Sequence, residues 1–354
     1  MGYHNQTLAG QYSCKQGATV VFQRQMARRD ERLVIYNLVT RDPQSGFAEE
    51  VRHGLTSTPK SLSPKYFYDE LGSQLFEAIC LLPEYYLTRA ENEILQRHAD
   101  EIVSQVCGCS TLMEMGSGSA SKTRLIIEAL LRRRNELVFM PVDISASALE
   151  SSSLILLQSY PRLRIEAYAA DYFVALEQLK KNRRGPTLAL FLGSNISNFG
   201  ITEAPVFLRA LRAVLKRGDA LLLGADLKKD RAILEPAYDD ALGVTAAFNL
   251  NLLARVNREL GGNFQLRNFK HHAFYNEEIG RVEIHIESLE PQTVHIARLN
   301  MDVEFKAGER IHTENSYKYD LQGIARLASR TGYRCAQTWL DSQKRFSSNL
   351  LFAE

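Results

Sequence analysis

The chain has 354 residues, 45% of them apolar and 24% charged, with a formal net charge of +2. That length supports a substantial buried core, the composition is that of an ordinary globular protein, and so small a net charge recruits neither nucleic acid nor an anionic surface. No stretch approaches the roughly 20 apolar residues of a membrane span. The five cysteines, at 14, 80, 107, 109 and 335, show neither CxxC spacing nor a histidine cluster, which argues against a disulfide framework and against a metal site.

Residues 1–50 read as an N-terminal extension. The first apolar run is short and Arg24, Arg28 and Arg29 break up the residues after it, so signal-peptide order is missing and a cytoplasmic location is the default expectation. From 64 to 106 the apolar spacing is helical, with Phe76, Ile79, Cys80 and Leu81 in one series and Ile94, Leu95 and Ile102 in a second. Pro83 separates the two, and Thr88 with Glu91 three residues later reads as a capping box that opens the second helix. Short apolar runs then alternate with helical segments. Strands are expected at 111–115, 137–142, 164–168, 187–192 and 219–224, with helices near 121–133, 146–157, 172–182 and 202–216. This rhythm predicts a parallel sheet covered on both faces, with a ligand crevice at the C-terminal ends of the strands. The basic runs Arg132-Arg133-Arg134 and Lys180–Arg184 read as solvated helix ends.

After Asp226 the rhythm changes. A helical pattern covers roughly 231–260, and alternating strands are expected at 269–275, 281–288, 293–299 and 302–306. His271 and His272 are neighbours on one of these strands, face opposite ways and make no shared metal site. A helix near 319–331 and two strands, YRCAQTWL and SSNLLFA, return the chain to the parallel sheet, which makes 227–316 an insertion.

The chemistry gathers at the strand ends. STLMEMGSGSASKT places Gly116-Ser117-Gly118 after the first strand, where a backbone without Cβ can approach a ligand closely. Ser121 stands where a dinucleotide fingerprint needs its third glycine, and P-loop spacing is absent. Asp143 closes the second strand, where a carboxylate can accept ribose hydroxyls; Asp171 and Tyr172 close the third, where an acid and a ring could hold an adenine. Gly193, Ser194, Asn195 and Asn198 come after the fourth. Each acid alone could be a helix cap, but two beside a GxG turn describe a nucleoside pocket without a phosphate cradle, which suits S-adenosylmethionine better than NAD. A second constellation is aromatic and acidic: Tyr66, Phe67, Tyr68, Tyr85, Tyr86, Tyr238, Glu314, Ser316, Tyr317 and Tyr319. Rings of this kind, with Asn198, would suit a ligand that becomes a quaternary ammonium.

The stretches KSLSPKYFYDELGSQLFEAICLLPEYYLTRAE, LMEMGSGSASKTR, LFLGSNISNF, ADLKKD, AYDDALGVTAAFNLNLLARVNREL and TENSYKY resemble the histidine-specific α-N-methyltransferases of the ergothioneine pathway, which make the trimethylated betaine hercynine. The resemblance runs from about 55 to 352. It implies an α/β class I (Rossmann-like) S-adenosylmethionine-dependent methyltransferase domain over 51–226 and 317–354, with an inserted α+β substrate-binding region at 227–316. The implied donor site is Gly116, Lys122, Asp143, Asp171 and Tyr172, to which the strand-end pattern adds Ser117, Gly118 and Gly193.

The implied acceptor site is Tyr68, Tyr85, Asn198, Tyr238, Ile284, Glu314 and Ser316, with L-histidine and its mono- and dimethyl forms as ligands and no metal, nucleic acid or membrane involved. Asn198 and Tyr238 would hold the amino and carboxylate ends, Glu314 and Ser316 the imidazole, and Tyr85 with Asn198 would orient the amine. Ile284 departs from the methionine of the mycobacterial type, which preserves an apolar wall while altering its shape. A buried Glu314 with nothing to bond would be costly under an indole or phenol. Two other readings stand beside this one: a relative acting on tryptophan, tyrosine or a prenylated tryptophan, and a non-enzymatic donor-binding sensor.

Overall fold

The computed structural model describes residues 24–25, 31–38, 43–106, 108–182 and 185–354. Cys14, Cys107, Arg28, Arg29 and the end of the 180–184 basic run lie outside the described residues. In chain order come strands β1 (Arg24–Gln25) and β2 (Leu33–Asn37), helix α1 (Pro43–Thr56), β3 (Lys60–Ser61), α2 (Glu70–Leu81) and α3 (Tyr86–Gln105). The alternating part comes next, as β4 (Thr111–Met115), α4 (Thr123–Arg133), β5 (Leu137–Asp143), α5 (Ala146–Ser159), β6 (Leu163–Ala169), α6 (Tyr172–Asn182), β7 (Thr187–Phe191), α7 (Glu203–Val214) and β8 (Ala220–Asp226). Then come α8 (Arg231–Leu234), α9 (Val244–Leu260), β9 (Phe269–Asn276), β10 (Arg281–Ser288), β11 (Gln292–Ile296), β12 (Met301–Phe305), β13 (Arg310–Tyr317), α10 (Leu321–Arg330), β14 (Tyr333–Leu340) and β15 (Phe346–Ala353).

The main sheet has the order β1-β2-β6-β5-β4-β7-β8-β15-β14. From β2 to β8 all pairings are parallel, and β15 and β14 close the edge antiparallel. β4, β7 and β8 are buried along their whole length, as strands covered on both faces must be. Successive residues of β4 feed two different cores: Leu112 packs with α4 and α5 residues such as Ile126 and Leu149, whereas Met113 and Met115 pack with Phe207 and Leu211 of α7. The chain order reverses between β4 and β7, so the crevice opens beyond the ends of those two strands. β2 adds a parallel strand beside β6, with Leu33 opposite Ile165, a role in the sheet that the reading of residues 1–50 as an extension did not assign.

Beyond Asp226 the expected elements are rearranged. The helix expected over 231–260 is broken into α8, a 3-10 turn at Glu235–Ala237 and α9. Pro236 favours the turn, Gly243 sits at φ 76°, and the Asp240 carboxylate takes the first free N–H groups of α9, from Val244 and Thr245 at 2.9 and 2.7 Å. Tyr238 therefore lies at the end of the turn and not in a long helix. The strand expected to reach 299 stops at Ile296, where Ala297–Leu299 turn and Asn300 adopts φ 44°. The four expected strands form two sheets: β9 and β10 join β13 and β3, while β11 and β12 form a separate ribbon.

β13 has no counterpart in the sequence reading, because RIHTENSY puts polar residues at positions that alternate apolar in an ordinary half-buried strand. β3 pairs parallel with β13, and Asp69 at the start of α2 is gripped by Asn251 and Arg258 of α9, so residues near 60–80 are fastened to the segment 227–317.

Candidate active site

The side expected to hold the donor is built on the turn after β4. The N–H groups of Gly116 and Ser117 donate to the Val142 carbonyl at 2.8 and 3.1 Å, which pins the turn against β5. Gly116 has φ 74°, and a Cβ there would stand 2.6 Å from Tyr172 Oη and 2.7 Å from Asn195 Nδ2, so the position requires glycine. At the end of β5 the two Asp143 oxygens accept N–H bonds from Gly118 (2.9 Å) and Ser145 (3.0 Å); burial raises its carboxyl above the ordinary range and these bonds oppose the rise. Asp171 is exposed and accepts the Phe173 N–H at 2.9 Å, the cap of α6. Tyr172 packs among Phe191, Phe199 and Phe207 at centroid distances of 5.5–6.2 Å, with its hydroxyl toward the glycine turn.

Beneath the turn, Glu114 accepts the Thr123 hydroxyl at 2.6 Å and is pushed up to about 8 by burial. Its second oxygen and the Ser117 hydroxyl are buried without partners, so the cradle keeps unmet polar capacity. A glycine cradle that a Cβ would fill, a carboxylate at the ribose position and no phosphate-binding loop fit an S-adenosylmethionine-type donor.

Lys122 is ion-paired with Glu91, whose side chain is wholly buried and also accepts the Gly193 N–H at 2.8 and 3.0 Å. This corrects the capping-box reading of Thr88 and Glu91. The second helix begins at Tyr86, its first turn lies earlier, and Glu91 instead fastens α3 to the turn after β7.

The side expected to hold the acceptor is a pocket enclosed by segments far apart in the chain. Tyr68 and Phe76 come from before and within α2, Tyr85 from the start of α3, Asn195 and Asn198 from the turn after β7, and Tyr238, Phe248 and Asn249 from the second half of the molecule. Ile284 of β10 and Glu314 and Ser316 of β13 complete it. All seven residues expected at the acceptor site line this one pocket, and Gly193 lines it too, at the junction with the donor side.

Its walls are aromatic and interlocked. Tyr85 meets Tyr238 edge-on at 6.2 Å, Phe76 meets Tyr85 at 6.2 Å, and Tyr68 meets Phe76 and Phe248 at 5.7 and 5.8 Å. Burial raises the Tyr68 and Tyr85 phenols well above their usual range, so both stay protonated donors. Tyr66, Tyr86, Tyr317 and Tyr319, grouped with these by composition, do not line the pocket; Tyr66 packs on Phe47, and Tyr317 bonds Arg281.

Glu314 and Ser316 alternate onto one face of β13. Burial pushes Glu314 up to about 7, with Lys318 pulling the other way, and its carboxylate makes no hydrogen bond with any described residue. Ser316 Oγ lies 2.8 Å from Tyr238 Oη. His271 bonds the Tyr238 carbonyl (2.7 Å) through Nε2 and Asn249 (2.9 Å) through Nδ1, a neutral imidazole that fixes Tyr238 from behind, while His272 lies on the opposite face beside Phe274.

A buried polar cluster lies under the pocket. Asp226 takes Tyr86 Oη at 2.9 Å, Lys229 at 2.6 Å and Lys318 at 2.9 Å. Asp226, Lys229 and Lys318, with the tie from Glu91 to Lys122 and Gly193, are the parts of the site that sequence reasoning missed. One signal was available: Asp226 closes the fifth strand just as Asp143 closes the second. Among the described residues, no group of three or more His, Cys, Asp or Glu could hold a metal ion, and no helix is long and apolar enough to cross a membrane.

The chain matches the family model described as a histidine-specific, SAM-dependent methyltransferase over residues 47–353. It is 42% identical over 306 residues to the histidine N-alpha-methyltransferase of Mycolicibacterium smegmatis, covering 85% of this chain and 93% of that protein. Ergothioneine biosynthesis protein 1 of Neurospora crassa is 32% identical over 79% of this chain, which spans 32% of that longer protein. The L-tryptophan methyltransferase of Psilocybe serbica is 27% identical, over 84% of this chain and 90% of its own length.

Proposed function

The chain belongs to the histidine-specific, SAM-dependent methyltransferase family, and on that premise we propose that it methylates the α-amino group of L-histidine three times, giving hercynine, in the first step of ergothioneine biosynthesis. The observation that carries the choice of acceptor is Glu314: a carboxylate without a hydrogen-bond partner, set beside Ser316 in an aromatic pocket, is a ready acceptor for an imidazole N–H. The greater identity to the histidine enzyme than to the tryptophan enzyme supports the same choice. A small-molecule substrate handled in the cytoplasm, with no nucleic acid or membrane partner, completes the reading and accords with a net charge of +2.

When bound, S-adenosylmethionine supplies an electrophilic methyl group. Gly116, Ser117 and Gly118 would hold its amino-acid end and sugar together with Lys122 and Gly193, Asp143 its ribose hydroxyls, and Asp171 with Tyr172 its adenine. On the acceptor side the protein must align a neutral amine and let its proton leave. Tyr85 and Asn198 line the pocket and have no hydrogen-bond partner among the described residues, so both are free to orient that nitrogen. No described histidine lines the pocket and its Tyr68 and Tyr85 phenols stay protonated, so the proton passes to water, directly or by relay through a tyrosine hydroxyl that gives up its own proton. The ring faces among Tyr68, Tyr85 and Tyr238 would accept the growing cationic methylammonium.

Incubation with methyl donor and each aromatic amino acid, with products read by mass spectrometry, tests the substrate: histidine is expected to gain three methyl groups, and a gain on tryptophan alone would overturn the assignment. Tyr85→Phe and Asn198→Ala are each expected to lower turnover by about tenfold to a hundredfold, with donor affinity kept within about twofold.

A further inference from the structure

Lys318 has no part in the function as stated, yet it is wholly enclosed beneath the acceptor pocket. Its three ammonium protons all have acceptors: Asp226 Oδ2 at 2.9 Å, Tyr238 Oη at 2.7 Å and Ser316 Oγ at 2.8 Å. Asp226 is shared with Lys229, so two ammonium groups are bonded to one carboxylate, with the Asp341 carboxylate acting on Lys229 without a hydrogen bond. A buried excess of positive charge is costly unless an anion completes it. Glu314, the other acid at the pocket, makes no hydrogen bond to the cluster.

The hydrogen bonds also leave one hydroxyl proton without a partner in the cluster. A phenol oxygen accepts up to two bonds and donates one. Tyr238 Oη accepts from Lys318 and lies 2.8 Å from Ser316 Oγ. Ser316 Oγ also accepts from Lys318, so one hydroxyl proton serves the contact between Ser316 and Tyr238 and the other, that of whichever residue accepts across it, is left for the pocket that both residues line. An acceptor, and above all an anion, is what such a floor recognises.

We propose that Lys318, anchored by Asp226, is a positioning residue that commits one hydroxyl of the Tyr238 and Ser316 pair to donate to the carboxylate of the bound amino acid. This rests on the reading that the pocket takes an amino acid, and it puts the selection of amino acids over the corresponding amines or alcohols in a buried cation that does not touch the ligand.

The test is calorimetric binding of L-histidine and L-histidinol, which carries an alcohol in place of the carboxylate, to the wild type and to Lys318→Met in the presence of S-adenosylhomocysteine. The variant leaves Asp226 paired with Lys229 and Tyr86, and the cluster without net charge. L-histidine is expected to weaken by about tenfold or more, the scale of a hydrogen bond to a charged group, and L-histidinol by less than about threefold, with S-adenosylhomocysteine unaffected. Equal weakening of both ligands, or a wild type that binds them alike, would overturn the proposal. Should Lys318→Met not fold, the isosteric Asp226→Asn loosens Lys318 and is expected to erode the same preference; an unchanged preference overturns the proposal. If the wild type binds no histidine, the substrate assignment fails by itself, and the amino acid it does methylate, paired with its own amino alcohol, decides the role of Lys318.

Discussion

Between Gly116 and Asp143 the donor crevice is made largely of backbone: two N–H bonds to Val142, a glycine at φ 74° and a carboxylate held by Gly118 and Ser145. The acceptor pocket is made of side chains, drawn from the start of α2, the start of α3, the turn after β7, α9, β10 and β13. One half is fixed by backbone hydrogen bonds between the ends of two neighbouring strands, β4 and β5. The other is fixed by packing and by a buried ionic cluster, which few substitutions leave undisturbed. A common donor with a changeable acceptor calls for this division, since the residues that select the acceptor can vary without disturbing the sheet.

Three substitutions can break or sharpen the contrast. The largest effect is expected from Gly116→Ala. The new Cβ meets Tyr172 Oη and Asn195 Nδ2 inside contact distance, and alanine resists the left-handed backbone, so donor affinity should fall by about a hundredfold. Calorimetry with S-adenosylhomocysteine checks this; unchanged donor binding would refute a backbone-built crevice.

Glu314→Gln gives the middle effect, and its sign depends on pH. Burial raises Glu314 to about 7, so the folded protein holds this proton more tightly than the unfolded chain does. The raised acid costs nothing at low pH; its cost grows as pH rises from the ordinary carboxylic range to about 7 and is constant above that. The variant should therefore melt with the wild type near pH 4 and above it near pH 8. In histidine binding the advantage of wild type over variant should widen, to about tenfold, as pH rises from about 6 to about 8 and an ionised acceptor forms. A pH-independent ratio would remove Glu314 from imidazole recognition.

Ile284→Met is the smallest. It exchanges one apolar wall for another of similar volume, and the histidine KM is expected to move by less than about threefold. A larger change would mean that this wall sets substrate preference by shape.

The sequence was most legible where local rules and tertiary demands agree. Buried runs such as TLALF and ALLLGAD can only be strands covered on both faces, and the acids that close such strands fall at the crevice by topology. It was least legible where the pocket required polar residues inside. RIHTENSY lacks an apolar alternation because Glu314 and Ser316 face the pocket, and Glu91 resembles a cap because three-residue spacing from a threonine is common whatever the helix start.

By itself the sequence determined the parallel sheet, the glycine turn and the residue types that could meet a donor and an amino acid, because period, turn chemistry and strand-end placement are local properties. Only the tertiary structure decided that Glu91 fastens Lys122 and Gly193, that Tyr238 leaves its helix, and that Asp226, Lys229 and Lys318 share one cluster. Those facts depend on which charges meet after burial. The low dielectric of the interior makes each pairing decisive, and no spacing along the chain encodes it.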